Sequence, residues 1–423
     1  MTMALPVPAA AQVLPAPLAE RLLIVVLFVT VLASSVAFIE PSPHDGLMGV
    51  LAIASLAAGV RFQRMLTVPL ALLVTLNISG LMALIPVVGE EKTIQYAGTS
   101  IYLAIAALLF ACILSHNTMP RLIAICRAYV LTATVIALAG IAGYFSLFPR
   151  AHELFATFGR ALGAFKDPNV FGPFLIWPAL IVLERMVARR IRLVDLLILG
   201  ILSLGLLVSF SRGAWFHVAV SAAIMLALVF LTAPTPRERL RVISLGIVGA
   251  MVLAAFVAIL LSFESIRDMF EQRAQLIQYY DVGDGGRFNL QQLALGAILD
   301  FPNGMGPLEF ARVHGLQQHN VYLQAFLVYG WVGGMSYILL LLTTLWIGFR
   351  TLFVRTPWQP YLITAYATFV GEVLEGVVID SDHWRHFFLL LGVIWGLASA
   401  TITHLRQVPA RPFSSGALHV RAA

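Results

Sequence analysis

Three stretches place chemically capable side chains in an otherwise apolar chain. In Ser209-Phe-Ser-Arg-Gly-Ala-Trp215, Arg212 interrupts a run from Leu193 to Ala233 whose only other charge is Asp195. A guanidinium at mid-membrane costs on the order of 3 kcal/mol, and less near the edge. Two readings compete for Arg212. It is either an interfacial anchor snorkelling to lipid headgroups or a cation turned toward a polar cavity that receives an anion. The second stretch runs from Arg160 to Gly172 and contains Lys166, Asp167, Pro168 and Asn169. Asp167 or Asn169 can cap a helix with proline in its first turn. That accounts for one of the two, but not for the glycines and two cations around them. The third stretch is Gln317-Gln-His-Asn-Val-Tyr-Leu323, where His319 adjoins Asn320 and Tyr322. A lone histidine at a helix start is more often structural than catalytic. This one stands at the mouth of a long apolar helix.

The elements that must position these residues follow from composition. The 423 residues are 60% hydrophobic and 11% charged, whereas soluble domains carry roughly 25% charge. The solvent of such a chain is lipid, and its net charge of +6 says little about nucleic acid. A membrane helix needs about 20 apolar residues. Twelve stretches qualify, at roughly 22–39, 46–60, 65–88, 99–115, 121–148, 170–188, 193–211, 213–233, 240–263, 321–349, 361–379 and 386–404. With the N-terminus inside and the spans alternating, inside segments hold 17 of the 27 bases and only four of the 21 acids. The positive-inside rule favours that arrangement. The expected organisation is an all-α polytopic membrane protein with both termini cytoplasmic. A cytoplasmic tail (1–21) precedes nine spans (22–263), an outer helical loop (264–320), three spans (321–405) and a second tail (406–423). The first apolar run is read as a retained span rather than a cleaved signal. Cys112 and Cys126 lie inside apolar segments and form neither a disulfide framework nor a thiolate site.

This topology puts the oddities on one side. External loops should be poor in arginine, yet Arg150, Arg160, Lys166, Arg212, Arg267, Arg273, Arg287, Arg312 and Arg385 fall outside, with Lys92. Within the long loop, Ile266, Met269, Phe270, Ala274 and Ile277 recur at helical spacing, which predicts an amphipathic helix on the outer membrane surface. A Gly-rich break at Asp284-Gly-Gly-Arg287 precedes a second helical stretch, Phe288–Leu299, which ends at Phe301-Pro-Asn-Gly304. Asp281 and Asp284 lack the remaining ligands of a calcium loop and read as a plain turn. Glu372 and Glu375 share one helix face within a span. They are expected to pair with Arg212 or Arg385, the alternative being sugar hydroxyls. Trp384 is expected in the aromatic belt, with stacking on a sugar as the alternative.

Together these motifs resemble the O-antigen ligase and polymerase superfamily, bacterial inner-membrane glycosyltransferases that take a glycan from an undecaprenyl-pyrophosphate carrier. The resemblance covers about residues 155–345. It rests on G-x-F-x-D-P-N-x-x-G at Gly163–Gly172, S-x-S-R-G-A at Ser209–Ala214, and a helix led by Arg287. It also rests on P-x-G-x-G at Pro302–Gly306, H-N-x-Y-L at His319–Leu323, and the Gly-rich Tyr329-Gly-Trp-Val-Gly-Gly334. Tyr329 stands where many members carry an acid before the glycine. The resemblance implies a C-type-like membrane glycosyltransferase architecture with its active site facing the periplasm. Matched motif by motif, the arginines and histidine on which the family's ligases rely fall on Arg212, Arg287 and His319. Arg160, Lys166, Asn169, Ser211, Asn320, Tyr322 and Arg385 are then the expected substrate-binding residues.

Such chemistry suits these side chains. Arginine forks match phosphate oxygens bidentately and keep their charge when buried. His319 would take or orient the proton of an acceptor hydroxyl. The reaction calls for no cofactor, nucleotide sugar or metal. The implied partners are a lipid-linked glycan donor, a glycan or lipid acceptor, membrane lipids and other polysaccharide-assembly proteins. A different class, a transporter or flippase of lipid-linked oligosaccharide, would also use outward cations. It would need polar residues along a path through both leaflets, whereas the polar motifs here cluster outside. A membrane scaffold would have no use for the buried arginine.

Overall fold

The computed structural model describes residues 17–39, 41–275 and 286–407. It is almost wholly helical. In chain order the first five helices are α1 (Leu18–Leu32), α2 (Pro43–Ala57), α3 (Thr67–Leu84), α4 (Glu91–Leu114) and α5 (Thr118–Tyr144). Next come α6 (Ala151–Phe155), a strand pair β1 (Ala156–Thr157) and β2 (Arg160–Ala161), α7 (Pro168–Phe174) and α8 (Ile176–Ala188). Then follow α9 (Leu193–Val208), α10 (Arg212–Thr232), α11 (Pro236–Leu260), α12 (Glu264–Ala274), α13 (Arg287–Asp300) and α14 (Glu309–His314). The last three are α15 (Val321–Leu352), α16 (Gln359–Glu375) and α17 (Arg385–Gln407).

Every expected span falls on helix. Among the described residues, nine helical stretches are long and apolar enough to cross a membrane. The other three, α2, α9 and α16, have 15, 16 and 17 residues. At about 1.5 Å per residue they fall short of a hydrocarbon core of about 30 Å. The figure of twelve spans is therefore not reached by helix length alone. Asp281 and Asp284, read as a plain turn, lie outside the described residues, as does Ile277.

Local chemistry sets the helix starts. Ser42 and Asp45 form a capping box at α2 with Pro43 in the first turn. At α7, Asp167 accepts from the backbone N–H of Asn169 at 2.7 Å, so Asp167 is the cap and Asn169 is left for other work. Ser211 caps α10 by accepting from Ala214 N–H at 3.4 Å. Asn320 caps α15 by accepting from Tyr322 and Leu323 N–H at 3.0 and 3.2 Å.

The core runs along α5 and the faces of α4, α8, α15, α16 and α17, with Tyr129, Phe171, Phe174, Trp177 and Phe387 buried at its centre. In contrast, α11 is largely exposed apolar surface, the composition a lipid-facing helix needs. At the opposite end from the three motif stretches, Arg121 donates from Nε and Nη2 to both oxygens of Glu20, at 2.9 and 2.7 Å. This pair ties α1 to α5.

One irregularity orients the cavity end of the bundle. Helix α15 is broken at Gly330, which sits at φ 66° and ψ −174°. The break frees backbone groups, and the Pro302–Gly306 turn fills them. Met305 N–H donates to the Leu327 carbonyl at 2.7 Å, and Trp331 N–H donates to the Pro302 carbonyl at 2.8 Å. A Cβ on Gly330 would stand 2.6 Å from the Asn303 carbonyl carbon. The P-x-G-x-G turn and the Gly-rich helix are thus two halves of one joint. It fixes α13, which carries Arg287, against α15, which His319 precedes. Tyr329 is absorbed by the same joint: its hydroxyl bonds Ser100 Oγ at 3.1 Å, and Ser79 Oγ donates to its carbonyl at 2.6 Å. Gly330→Ala combines a disfavoured φ with a steric collision. It is expected to destabilise the protein by roughly 1–3 kcal/mol, read as a lower midpoint of thermal unfolding in detergent; an unchanged midpoint would contradict the joint.

Candidate functional site

A cavity of about 1090 Å³ opens where α7, α10, α12, α13, α16 and the His319 segment meet. Arg160, Asn169, Ser211, Arg212, Arg287 and His319, six of the residues singled out in the sequence, line it together. They come from stretches more than 150 residues apart in the chain.

Arg160 reaches the cavity on a two-residue hairpin. Thr157 pairs with Arg160, and the turn residues Phe158 and Gly159 both take positive φ, 48° and 69°, as a tight primed turn requires. The buried side chain donates from Nε to the Ser209 carbonyl at 2.8 Å and from Nη2 to Asn169 Oδ1 at 2.7 Å. It therefore braces the Asp167–Asn169 cap to the Ser209–Ser211 turn. That turn is tight: α9 ends at Val208 and α10 starts at Arg212, with Phe210 at φ 47° between them. Arg212 occupies the first helical position of α10 and donates from Nη1 to the Gln275 carbonyl at 2.9 Å. It faces the cavity, so the snorkelling-anchor reading does not hold.

Helix α12 departs from expectation. Part of its apolar face packs on protein. Ile266 is fully buried, and the Phe270 ring stacks on Trp215 with centroids 5.3 Å apart and planes 27° apart. An aromatic next to the S-x-S-R-G-A turn gives this helix something better than headgroups to cover. The consequence is that Arg273 is brought to the cavity wall beside Arg212. Arg287, leading α13, supplies the fourth guanidinium.

His319 holds a positive φ of 50°, a backbone state uncommon for a residue with a side chain. Its side chain is 47% exposed, with Nδ1 3.4 Å from Asp380 Oδ2. The other oxygen of Asp380 accepts from Asn320 N–H at 2.9 Å. One carboxylate thus sets both the His319 ring and the start of α15. Enclosure pushes the Asp380 carboxyl above the usual range, while the hydrogen bond and charge of His319 pull it back down. Sequence reasoning missed Arg273 and Asp380 as site residues. The first was visible among the outward cations. The second was visible in the acidic turn before α17, but nothing in the sequence said which acid would meet the histidine.

Four expected binding residues stand elsewhere. Lys166 is exposed and off the cavity wall. Asn320 spends its side chain on the α15 cap. The Tyr322 hydroxyl donates to the Val373 carbonyl. Arg385 pairs with Asp45 of α2, at 3.0 and 3.2 Å. These three position helices around the site rather than line it. Glu372 and Glu375 do not take the arginine partners expected of them. Glu375 meets His217 at 2.8 Å and Glu372 meets His386 at 3.3 Å. Trp384 is 7% exposed, stacked on His386 and part of the cavity wall, not in an aromatic belt.

The cavity offers guanidiniums that can hold an anion and an imidazole, His319, that can meet a hydroxyl. Its rim is apolar, with Phe216, Phe288, Leu374 and Val377 all half exposed to the bundle's outer surface.

Residues 197–338 match the family described as O-Antigen ligase. That segment holds about a third of the chain, including Arg212, Arg287 and His319. Arg160, Asn169 and Asp380 lie outside it and reach the same cavity through the fold. No curated protein matches the chain. The match over this segment and the apolar helices support a membrane role in glycan assembly.

The brace gives a direct test. Lysine keeps the charge of Arg160 but has no planar fork, so Arg160→Lys cannot hold Ser209 and Asn169 together. It is expected to cost on the order of 1–3 kcal/mol, seen as a lowered thermal midpoint in detergent. A midpoint equal to that of the native protein would show that the brace carries no load.

Proposed function

We propose that the protein is an inner-membrane glycosyltransferase of the O-antigen ligase and polymerase type. It transfers a glycan from an undecaprenyl-pyrophosphate carrier to an acceptor hydroxyl on the periplasmic side. The observation that carries this reading is the convergence of four arginines and the His319–Asp380 pair on one cavity.

In the proposed step the acceptor oxygen attacks the anomeric carbon of the donor glycan. The bond from that carbon to the phosphate oxygen breaks, and its electron pair leaves with the pyrophosphate. The acceptor proton passes to His319. Charge grows on the leaving group as the bond breaks, and cations already in place stabilise it without reorganising. Arg212, Arg273 and Arg287 are suited to that work. Arg160 is held by Ser209 and Asn169 and shapes the wall beside them. Asp380, accepting from His319, orients the ring so that Nε2 is left for the acceptor. The apolar rim at Phe216, Phe288, Leu374 and Val377 suits a polyprenyl chain entering sideways from the bilayer. Such a reaction uses the energy of the carrier linkage and needs no nucleotide.

Arg212→Ala, Arg287→Ala and His319→Ala, made singly, are expected to leave protein levels intact while surface polysaccharide is lost and carrier-linked glycan accumulates. Each should lower the rate by about 100-fold or more, the scale seen when one preorganised group is removed. Normal polymer from all three variants would refute the assignment.

A further inference from the structure

Beneath Arg212 lies a buried polar cluster that the proposed reaction does not use. His217, on α10, is 0% exposed, and Glu375, the last residue of α16, is 1% exposed. His217 Nδ1 meets Glu375 Oε2 at 2.8 Å, and its Nε2 meets the Thr368 carbonyl at 2.9 Å. A carbonyl only accepts, so Nε2 carries a hydrogen. The Nδ1–Oε2 contact then holds one further proton, on whichever of the two atoms it resides. His217 is thereby fastened to α16 at two points, two helical turns apart.

The second contact is steric. Gly213 lies in the first turn of α10, next to Arg212, and a Cβ there would stand 2.5 Å from Glu375 Oε1. The carboxyl packs directly on the backbone that carries Arg212. That same oxygen has no hydrogen-bond partner among the described residues. Leaving a buried carboxyl oxygen unmatched is costly, so packing alone does not explain an acid here. What the acid does supply is a rigid stop under Gly213 and a proton bridge to His217, five residues beyond Arg212. These contacts together fix the rotation of α10 about its axis and the height of its first turn. The direction in which the Arg212 side chain leaves the helix follows from both.

We propose that Glu375 and His217 form a proton-bridged clamp that positions Arg212 toward the anion in the cavity. The proposal rests on the reading of the cavity as a pyrophosphate site. Glu375 and His217 are positioning residues in this account, acting through Arg212, and the glycine of S-x-S-R-G-A is the space the clamp occupies.

A double-mutant cycle separates this from general stability. The probe is undecaprenyl pyrophosphate, titrated against the full-length protein in detergent, with thermal unfolding recorded for every variant. Glu375→Ala should weaken binding about tenfold in the native background. It should weaken binding by less than about twofold when Arg212→Ala is already present, because the residue it positions is gone. Glu375→Gln keeps a bridge to His217 and should restore affinity to within about threefold of native. Gly213→Ala presses on the same contact from the other side and should weaken binding with all hydrogen-bonding groups still present. It carries the test if Glu375→Ala fails to fold. Equal losses from Glu375→Ala with and without Arg212, or no loss from either Glu375→Ala or Gly213→Ala, would overturn the clamp while leaving the cavity's anion reading intact. Unchanged affinity in Arg212→Ala would overturn the anion reading, and the clamp with it.

Discussion

Crowding guanidiniums at one end of an apolar bundle is the constraint on which the rest of this structure depends. Four arginines line one cavity, and like charges brought together repel. Acceptors from separate elements hold two of them in place. Arg160 is held by a backbone carbonyl and an amide, Arg212 by the carbonyl that follows α12. The site is therefore as much a set of carbonyls and turns as a set of cations. In the proposed reaction an entering anion would meet cations of which Arg160 and Arg212 are already oriented.

The turns carry this arrangement. The hairpin at Phe158-Gly159 puts Arg160 on β2, while the left-handed Phe210 and the left-handed His319 each stand just before a helix start, that of α10 and that of α15. Helix starts carry partial positive charge, so α10 and α13 add their own field to that of the arginines they present. The joint between Pro302–Gly306 and Gly330 keeps α13 and α15 in register, and the Arg385–Asp45 pair ties α17 to α2. Residues near the site that looked like ligands turn out to hold its frame.

Much of this was legible in the sequence. Apolar runs located the helices, and four of the cations grouped together by the arginine bias line one cavity. The motif residues with the strongest chemical character, Arg212, Arg287 and His319, do share a cavity. Elements governed by tertiary contact were not legible. The periodicity of Ile266, Met269 and Phe270 showed that α12 has an apolar face, but not that Trp215 would cover it. Glu372 and Glu375 were expected to meet arginines, yet their partners, His386 and His217, sit on other helices with no local signal. Asn320 and Tyr322 stand beside the histidine in sequence, and sequence proximity hid that one is a cap and the other a tether. The short helix α9 blurred the span count, because it is apolar enough for a span but only 16 residues long.

In the proposed reaction this cavity moves a glycan from a lipid pyrophosphate to a hydroxyl. Purified protein in detergent, given a carrier-linked repeat unit with and without a lipid A-core acceptor, tests it most directly. Glycan transfer to acceptor or to a second repeat unit, with stoichiometric release of undecaprenyl pyrophosphate and no added nucleotide sugar, is the predicted result. Carrier-linked glycan that stays chemically intact in detergent, yet crosses the bilayer when the protein is reconstituted in vesicles, would contradict it and favour a transporter.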